Sequence, residues 1–229
     1  KIANLPTNNQ DQPIDASSAT IVETTILEDF SSPFGGPERN DSLIKKKKVS
    51  GGMVDRYFNE HHDIIFNLPY RWFVTEGGGD NLNLIIEPND LEHSVQEVIE
   101  ATGYTPQVLV TSKERILSEE SRGVPTSFFS IKGGDDPKIL SNYIFENDAG
   151  RKAHLIITTQ NVPTATGTVQ FKIAQIHFSN SALSYSIIHI NLTDWFRYEI
   201  NSFDSTVKSF EIMIDGEMQP IDFGYNPVF

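Results

Sequence analysis

Cysteine is absent from the 229 residues, so no disulfide staples the fold and no thiolate can hold a metal, leaving imidazole and carboxylate as the ligands for any transition ion. Long apolar runs are missing too. No stretch approaches the roughly 20 apolar residues that span a bilayer as a helix, and the start carries no signal-peptide pattern, so the chain reads as soluble with no membrane span. Positive charge is scarce: 18 Lys and Arg stand against 31 Asp and Glu, a formal charge of −13. That balance argues against a broad nucleic-acid-binding face. The chain opens on Lys1, which suits equally a chain cut from a precursor or polyprotein and a sequence whose start is missing.

What is present in quantity is aromatic. Fifteen Phe, seven Tyr and two Trp supply a core although only 38% of residues are hydrophobic. Residues 1–50 contain Pro6, Pro13, Pro33 and Pro37, the Gly35-Gly36 pair and many Asn, Gln, Asp and Ser, and they close on the basic run Lys45, Lys46, Lys47, Lys48. This composition predicts an extended polar N-terminal arm without its own core. Inside it, the β-branched segment Ala19–Leu27, with Ile21, Val22, Ile26 and Leu27, is suited to adding a strand to another sheet, here an inter-subunit contact. The four lysines are the local exception to the acidic balance and the candidate contact to nucleic-acid phosphates.

Residues 51–229 read as a single domain. Alternation from Ile64 to Val74 predicts a strand, with Pro69 at an edge or bulge; Gly77-Gly78-Gly79-Asp80-Asn81 turns it into a second strand through Leu82, Leu84 and Ile86. Helical insertions are expected around 89–146. Asn89 and Glu92 cap one before Leu91, Val95, Val98 and Ile99, Thr111 and Glu114 begin a second, and Asp136-Pro137 begins a third with Ile139, Leu140, Tyr143 and Ile144. The final third reads as β almost throughout. Phase changes near Ala174-Gln175 and Ile187-Ile188 predict bulges that keep both apolar sets inward, and Phe210, Ile212 and Ile214 run into an Asp215-Gly216 hairpin turn. The fold class that follows is mainly β, an antiparallel β-sandwich with the jelly roll as one form of it.

The candidate chemistry is thin. Asn59-Glu60-His61-His62-Asp63 offers metal-ligand types without the H-x-x-x-H spacing of a helical pair. His154, His177 and His189 all fall on expected strands, and each is equally explained as a polar residue of an alternating strand. Glu146 and Asp148 are one of many acidic pairs, there is no G-x-S-x-G elbow, and Asp222-Phe223-Gly224 stands without any other kinase element. Asn40 and Asn191 open glycosylation sequons, and Trp72, Trp195, Phe196 and Tyr198 supply a platform for sugars or, more simply, core. No catalytic set, cofactor site or metal site is expected. These features predict a non-enzymatic structural subunit of a larger assembly, a viral capsid or virion protein whose partners are copies of itself or other structural subunits, located in the virion. The competing expectation is an extracellular β-sandwich module that binds carbohydrate or another ligand.

Overall fold

The computed structural model describes residues 44–49, 52–59, 62–76, 82–88, 106–114, 129–147, 151–164, 167–180 and 183–221. Twelve strands form two antiparallel sheets. They are β1 (Ile44–Val49), β2 (Gly52–Asn59), β3 (Ile64–Asn67), β4 (Trp72–Glu76), β5 (Asn83–Pro88), β6 (Gln107–Glu114), β7 (Lys138–Glu146), β8 (Lys152–Thr164), β9 (Gly167–Ser179), β10 (Leu183–Leu192), β11 (Glu211–Ile214) and β12 (Glu217–Pro220), with helix α1 (Phe196–Ser209) between β10 and β11. The small sheet has the order β1-β2-β3-β11-β12 and the large one β4-β5-β6-β10-β9-β8-β7.

The two sheets enclose a shared core. Tyr57, Phe66, Phe178, Tyr185 and Phe210 pack ring to ring at its centre, with centroids 5.0 to 6.4 Å apart. Each such ring buries enough apolar area to stabilise by roughly 2–3 kcal/mol. The expected antiparallel β-sandwich is therefore present. Its connectivity is a pair of meanders, β4-β5-β6 and β7-β8-β9-β10, joined where β10 pairs with β6. That order differs from the paired Greek keys of a jelly roll.

Several local expectations are corrected. Ile64–Val74 is two strands: Leu68-Pro69-Tyr70-Arg71 breaks it, Arg71 sits at φ 63°, and β3 and β4 join different sheets. The hairpin from β4 into β5 stands as expected. Thr111 and Glu114 lie in strand β6, paired to Ile187's neighbour Ser186 and to Leu183, so no helix begins at Thr111. Residues 138–146, expected as a helix, are strand β7, paired along β8 with a register shift between Ile139 and Ser141. That shift leaves Leu140 as an extra residue and changes the strand's parity, so the bulge accounts for the doublet Ile139-Leu140, while Tyr143 and Ile144 pair in register on opposite faces of β7 and are both exposed. The helix expected after Asn89 lies outside the described residues.

Conversely, Phe196–Ser209, read as β, is a helix. Phe196, Ile200, Phe203 and Val207 are its buried stripe at spacings of four, three and four. Glu199 in its first turn and Lys208 in its last complement the helix dipole, and Lys208 also pairs with Asp204 at 3.3 Å. The stripe packs on β10 and β3.

The two expected bulges in β9 and β10 are absent, because the large sheet buries apolar residues on both faces. Its inner face carries Ala174, Ile176, Phe178, Tyr185 and Ile187 in the main core. Its outer face carries Phe171, Ile173, Ile188 and Ile190 in a second cluster with Phe129 and Ile131. β8, β9 and β10 pair continuously through both phase changes. A phase change thus marks where burial passes from one face to the other. The turn at Asp215 (φ 52°) and Gly216 (φ 84°) closes β11 onto β12 as expected, since both central positions of such a turn need positive φ.

Candidate functional site on the outer face of the large sheet

The outer face is half covered. At its apolar end the extended segment Phe129-Ser130-Ile131 lies across the sheet, held by two buried glutamines. Gln175 on β9 accepts from the Phe129 amide at 2.7 Å and donates back to its carbonyl at 3.2 Å. Gln160 on β8 accepts from the Ile131 amide at 2.7 Å and donates to the carbonyls of Ile131 at 2.8 Å and Asp135 at 2.9 Å. A primary amide presents one acceptor and two donors in nearly the geometry of a peptide group, so each side chain substitutes for a neighbouring strand. Burial at this site requires those bonds, because an unpaired backbone group there would cost about 1–3 kcal/mol.

Past the strap the outer face turns polar. His154 on β8, His177 on β9, Ser186 on β10 and Thr111 on β6 are cross-strand neighbours in one row. Asn142 of β7 meets His154 Nε2 from the flank. His177 Nδ1 is 2.8 Å from Ser186 Oγ, and its Nε2 is 3.1 Å from Gln175 Oε1. The orientation of Gln175 is fixed by Phe129, so its oxygen faces Nε2 and that nitrogen must carry the proton. Nδ1 then accepts from the Ser186 hydroxyl. His154 Nδ1 and Thr158 Oγ1, both buried on the same strand, have no hydrogen-bond partner among the described residues.

Burial holds both imidazoles neutral. The His154 ring is driven down to about 4 by desolvation. The His177 ring is driven down to about 3, first by desolvation and then by the nearby His154 and Lys113. Serine, imidazole and an orienting carbonyl in line resemble the arrangement of a nucleophile, its base and a positioning group. As a base, however, such an imidazole has almost no hold on a proton near neutrality. An amide oxygen also lacks the charge to stabilise the imidazolium that base catalysis would form.

The residues singled out in the sequence fall elsewhere. His189 lies on the inner face under α1, its ring 4.9 Å from that of Phe196 and its Nδ1 3.2 Å from the Gln107 carbonyl, so the three histidines do not converge. No group of three or more metal-ligating side chains occurs among the described residues. In the 59–63 cluster, Asn59 accepts from the His62 amide at 3.0 Å and Asp63 takes φ 50°, so this segment is the turn between β2 and β3; Glu60 and His61 lie outside the described residues. Lys45, Lys46, Lys47 and Lys48 stand on β1, an edge strand, opposite Arg56, Asp55, Val54 and Met53. Lysine on an edge strand discourages further pairing there. Ile21, Val22, Ile26 and Leu27 lie outside the described residues, as do Asn40, Asp148, Gly77–Gly79 and Asp222–Gly224.

Asn191 is buried and bonded to the Leu192 amide at 2.8 Å, which withdraws it as a glycosylation acceptor. Trp72 and Phe196 belong to the core and Trp195 is half-buried at the start of α1, so these three form no aromatic platform, and the Tyr198 side chain lies outside the described residues. What sequence reading missed were Gln160, Gln175 and Ser186. The available signal was a glutamine at a position sharing parity with Phe171 and Ile173.

No protein-family model matches the chain, and no curated protein matches it in sequence. Among the solved structures to which the chain shows a likeness are two of low identity. The solution structure of cyanobacterial PsbP (CyanoP) from Synechocystis sp. PCC 6803 is 11% identical with a TM-score of 0.47 and covers 73% of this chain and 98% of its own. A crystal structure from Bacteroides thetaiotaomicron VPI-5482 is 8% identical with a TM-score of 0.42 over 71% of this chain, which spans only 49% of that protein. Neither is a viral protein. Together with a sheet order that is not a jelly roll, this overturns the expectation of a capsid or virion subunit. No helix among the described residues is long and apolar enough to cross a membrane.

Proposed function

We propose that this chain is a non-enzymatic binding module whose ligand, a neutral hydroxylated molecule of the carbohydrate type, seats on the polar half of the large sheet's outer face. The observation that carries the reading is the hydrogen-bond line Phe129–Gln175–His177–Ser186. Because that line commits the Ser186 proton to His177, the serine oxygen keeps its lone pairs for accepting. Imidazoles kept neutral by burial do not suit an anion, and with both His177 nitrogens engaged the acceptor left for a ligand hydroxyl is the Ser186 oxygen. Ser186, His177 and Thr111 are each half-buried, which leaves the row recessed but reachable. Rigid strands on either side fix the donors and acceptors, as specific polar recognition demands.

The test is an NMR titration of the full chain labelled at histidine, first with neutral glucose and galactose oligomers and then with inorganic phosphate. Saturable shifts of His177 and His154 with a sugar, abolished in Ser186→Ala and without hydrolysis of the sugar, support the reading. A response to phosphate alone overturns the ligand class. Turnover of a p-nitrophenyl ester that depends on Ser186 overturns the non-enzymatic assignment.

A further inference from the structure

Strand β7 is an edge of the large sheet, and no described strand pairs with its outer side. The other three sheet edges are protected by ordinary means: β1 carries Lys45 to Lys48, β12 is four residues long and ends on Pro220, and β4 is five residues long. β7 runs for nine residues and bears three of the four exposed large apolar side chains among the described residues, Leu140 at 54%, Tyr143 at 42% and Ile144 at 39% exposure. Such an edge is a template for another strand. Its charges select which strand. Lys138 stands at one end and Glu146 at the other, both exposed, with no charge between them.

We infer that the outer edge of β7 pairs antiparallel with β7 of a second copy, about a two-fold axis at Asn142, in a dimer whose large sheet runs through both chains. In that register Ser141 stands opposite the partner's Tyr143, and Leu140, the extra residue of the bulge, comes beside the partner's Ile144, each contact being made twice. The faces agree. Asn142 and Ile144 lie opposite Ile156 and His154 of β8, Ser141 and Tyr143 opposite Ile157 and Leu155, so over 141–143 each residue meets one on its own face of the sheet. Antiparallel pairing also brings Lys138 of each copy towards the partner's Glu146, whereas parallel pairing sets like charges side by side. Glu146 already lies 3.5 Å from Lys152 of its own chain in an exposed pair, and a carboxylate accepts a second cation. Each copy has one such edge, so the pairing closes at two.

Sedimentation velocity of the full chain over a wide concentration range is expected to show a reversible equilibrium between monomer and dimer. A strict monomer at every concentration overturns the inference. Leu140→Lys/Ile144→Lys, two changes at exposed positions that spare the core, should abolish the dimer. A dimer that persists in this variant overturns the assignment to β7. Charge reversal separates paired strands from general apolar association: Lys138→Glu and Glu146→Lys should each weaken self-association about tenfold by setting like charges together. The two variants mixed should regain the parent's affinity as a heterodimer, and a mixture that associates no better than its components overturns the antiparallel arrangement. The register is read by cysteine, which the chain lacks. Asn142→Cys places two thiols directly opposed on the axis, within disulfide reach. Mild oxidation should link that variant into a covalent dimer, while Ser141→Cys, whose thiols stand two residues apart along the pair, stays reduced. Any other pattern overturns the pairing.

Discussion

Gln175 Oε1 accepts from the backbone of Phe129 at 2.7 Å and from His177 Nε2 at 3.1 Å, so one side-chain oxygen ties the strap over the apolar half of the sheet to the polar row beside it. The packing of the second core and the tautomer of the candidate site are therefore parts of one hydrogen-bond system. Gln160 performs the first of these tasks without the second. The pair allows stability and site chemistry to be separated by mutation.

Gln160→Leu should destabilise the fold by about 2–4 kcal/mol, because it leaves the Ile131 amide and the carbonyls of Ile131 and Asp135 unpaired where water is excluded. The site's tautomer should survive it. Gln175→Leu should cost a similar amount and also free His177 Nε2, shifting the proton between the ring nitrogens. Urea unfolding reads the first effect, and imidazole ¹⁵N shifts read the second. Equal ¹⁵N spectra for the two variants would show that Gln175 does not set the tautomer.

Much of this architecture was legible in the residues, and the failures have physical causes. Alternation located β4, β5, β9, β10 and β11, and Asp215-Gly216 announced its hairpin. Alternation assumes one buried face, however. Where Phe171 and Ile173 face one core and Ile176 and Phe178 the other, the pattern slips and imitates a bulge. In β7 a real bulge at Leu140 and the exposed doublet Tyr143-Ile144 together imitate a helix. Helix α1 was hidden by its aromatic and β-branched content, which local propensity assigns to strands, while tertiary burial of Phe196, Ile200, Phe203 and Val207 decided otherwise. The candidate site was invisible because its row joins residues of four strands, and only the register brings them together.

The link between the sheets at Tyr57 can be weighed directly. Its hydroxyl donates to Glu76 at 2.5 Å and accepts from Asn59 at 2.9 Å, while burial and the adjoining Glu76 carboxylate push its own ionisation far up. Tyr57→Phe keeps the ring contact with Phe66 but removes both the donor to Glu76 and the acceptor of the Asn59 amide, so a loss of about 1–3 kcal/mol is expected. A double-mutant cycle with Glu76→Ala, which removes the acceptor, isolates the cross-sheet pair. Coupling below about 0.5 kcal/mol would mean that the bond to Asn59 carries the effect.

Acid should weaken the fold through its histidines. His189 is fully buried beneath α1, and desolvation takes its ring from 6.5 down to about 4, opposed in part by its bond to the Gln107 carbonyl and by the nearby Phe196 backbone. A depressed pKa means that the unfolded chain binds the proton first. Above pH 6.5 the histidine carries no penalty; as pH falls from there to about 4 the unfolded state gains protons and stability is lost, and below about 4 the loss levels off. For this group the full loss is about 3 kcal/mol. Carboxylates contribute their own acid dependence, so the informative quantity is the difference between the parent and His189→Gln, which retains a donor for the Gln107 carbonyl and does not titrate. Urea midpoints at pH 7.5 and 4.5 should fall further in the parent than in the variant. Parallel falls would show that His189 is protonated in the folded state, and that the space beneath α1 admits charge.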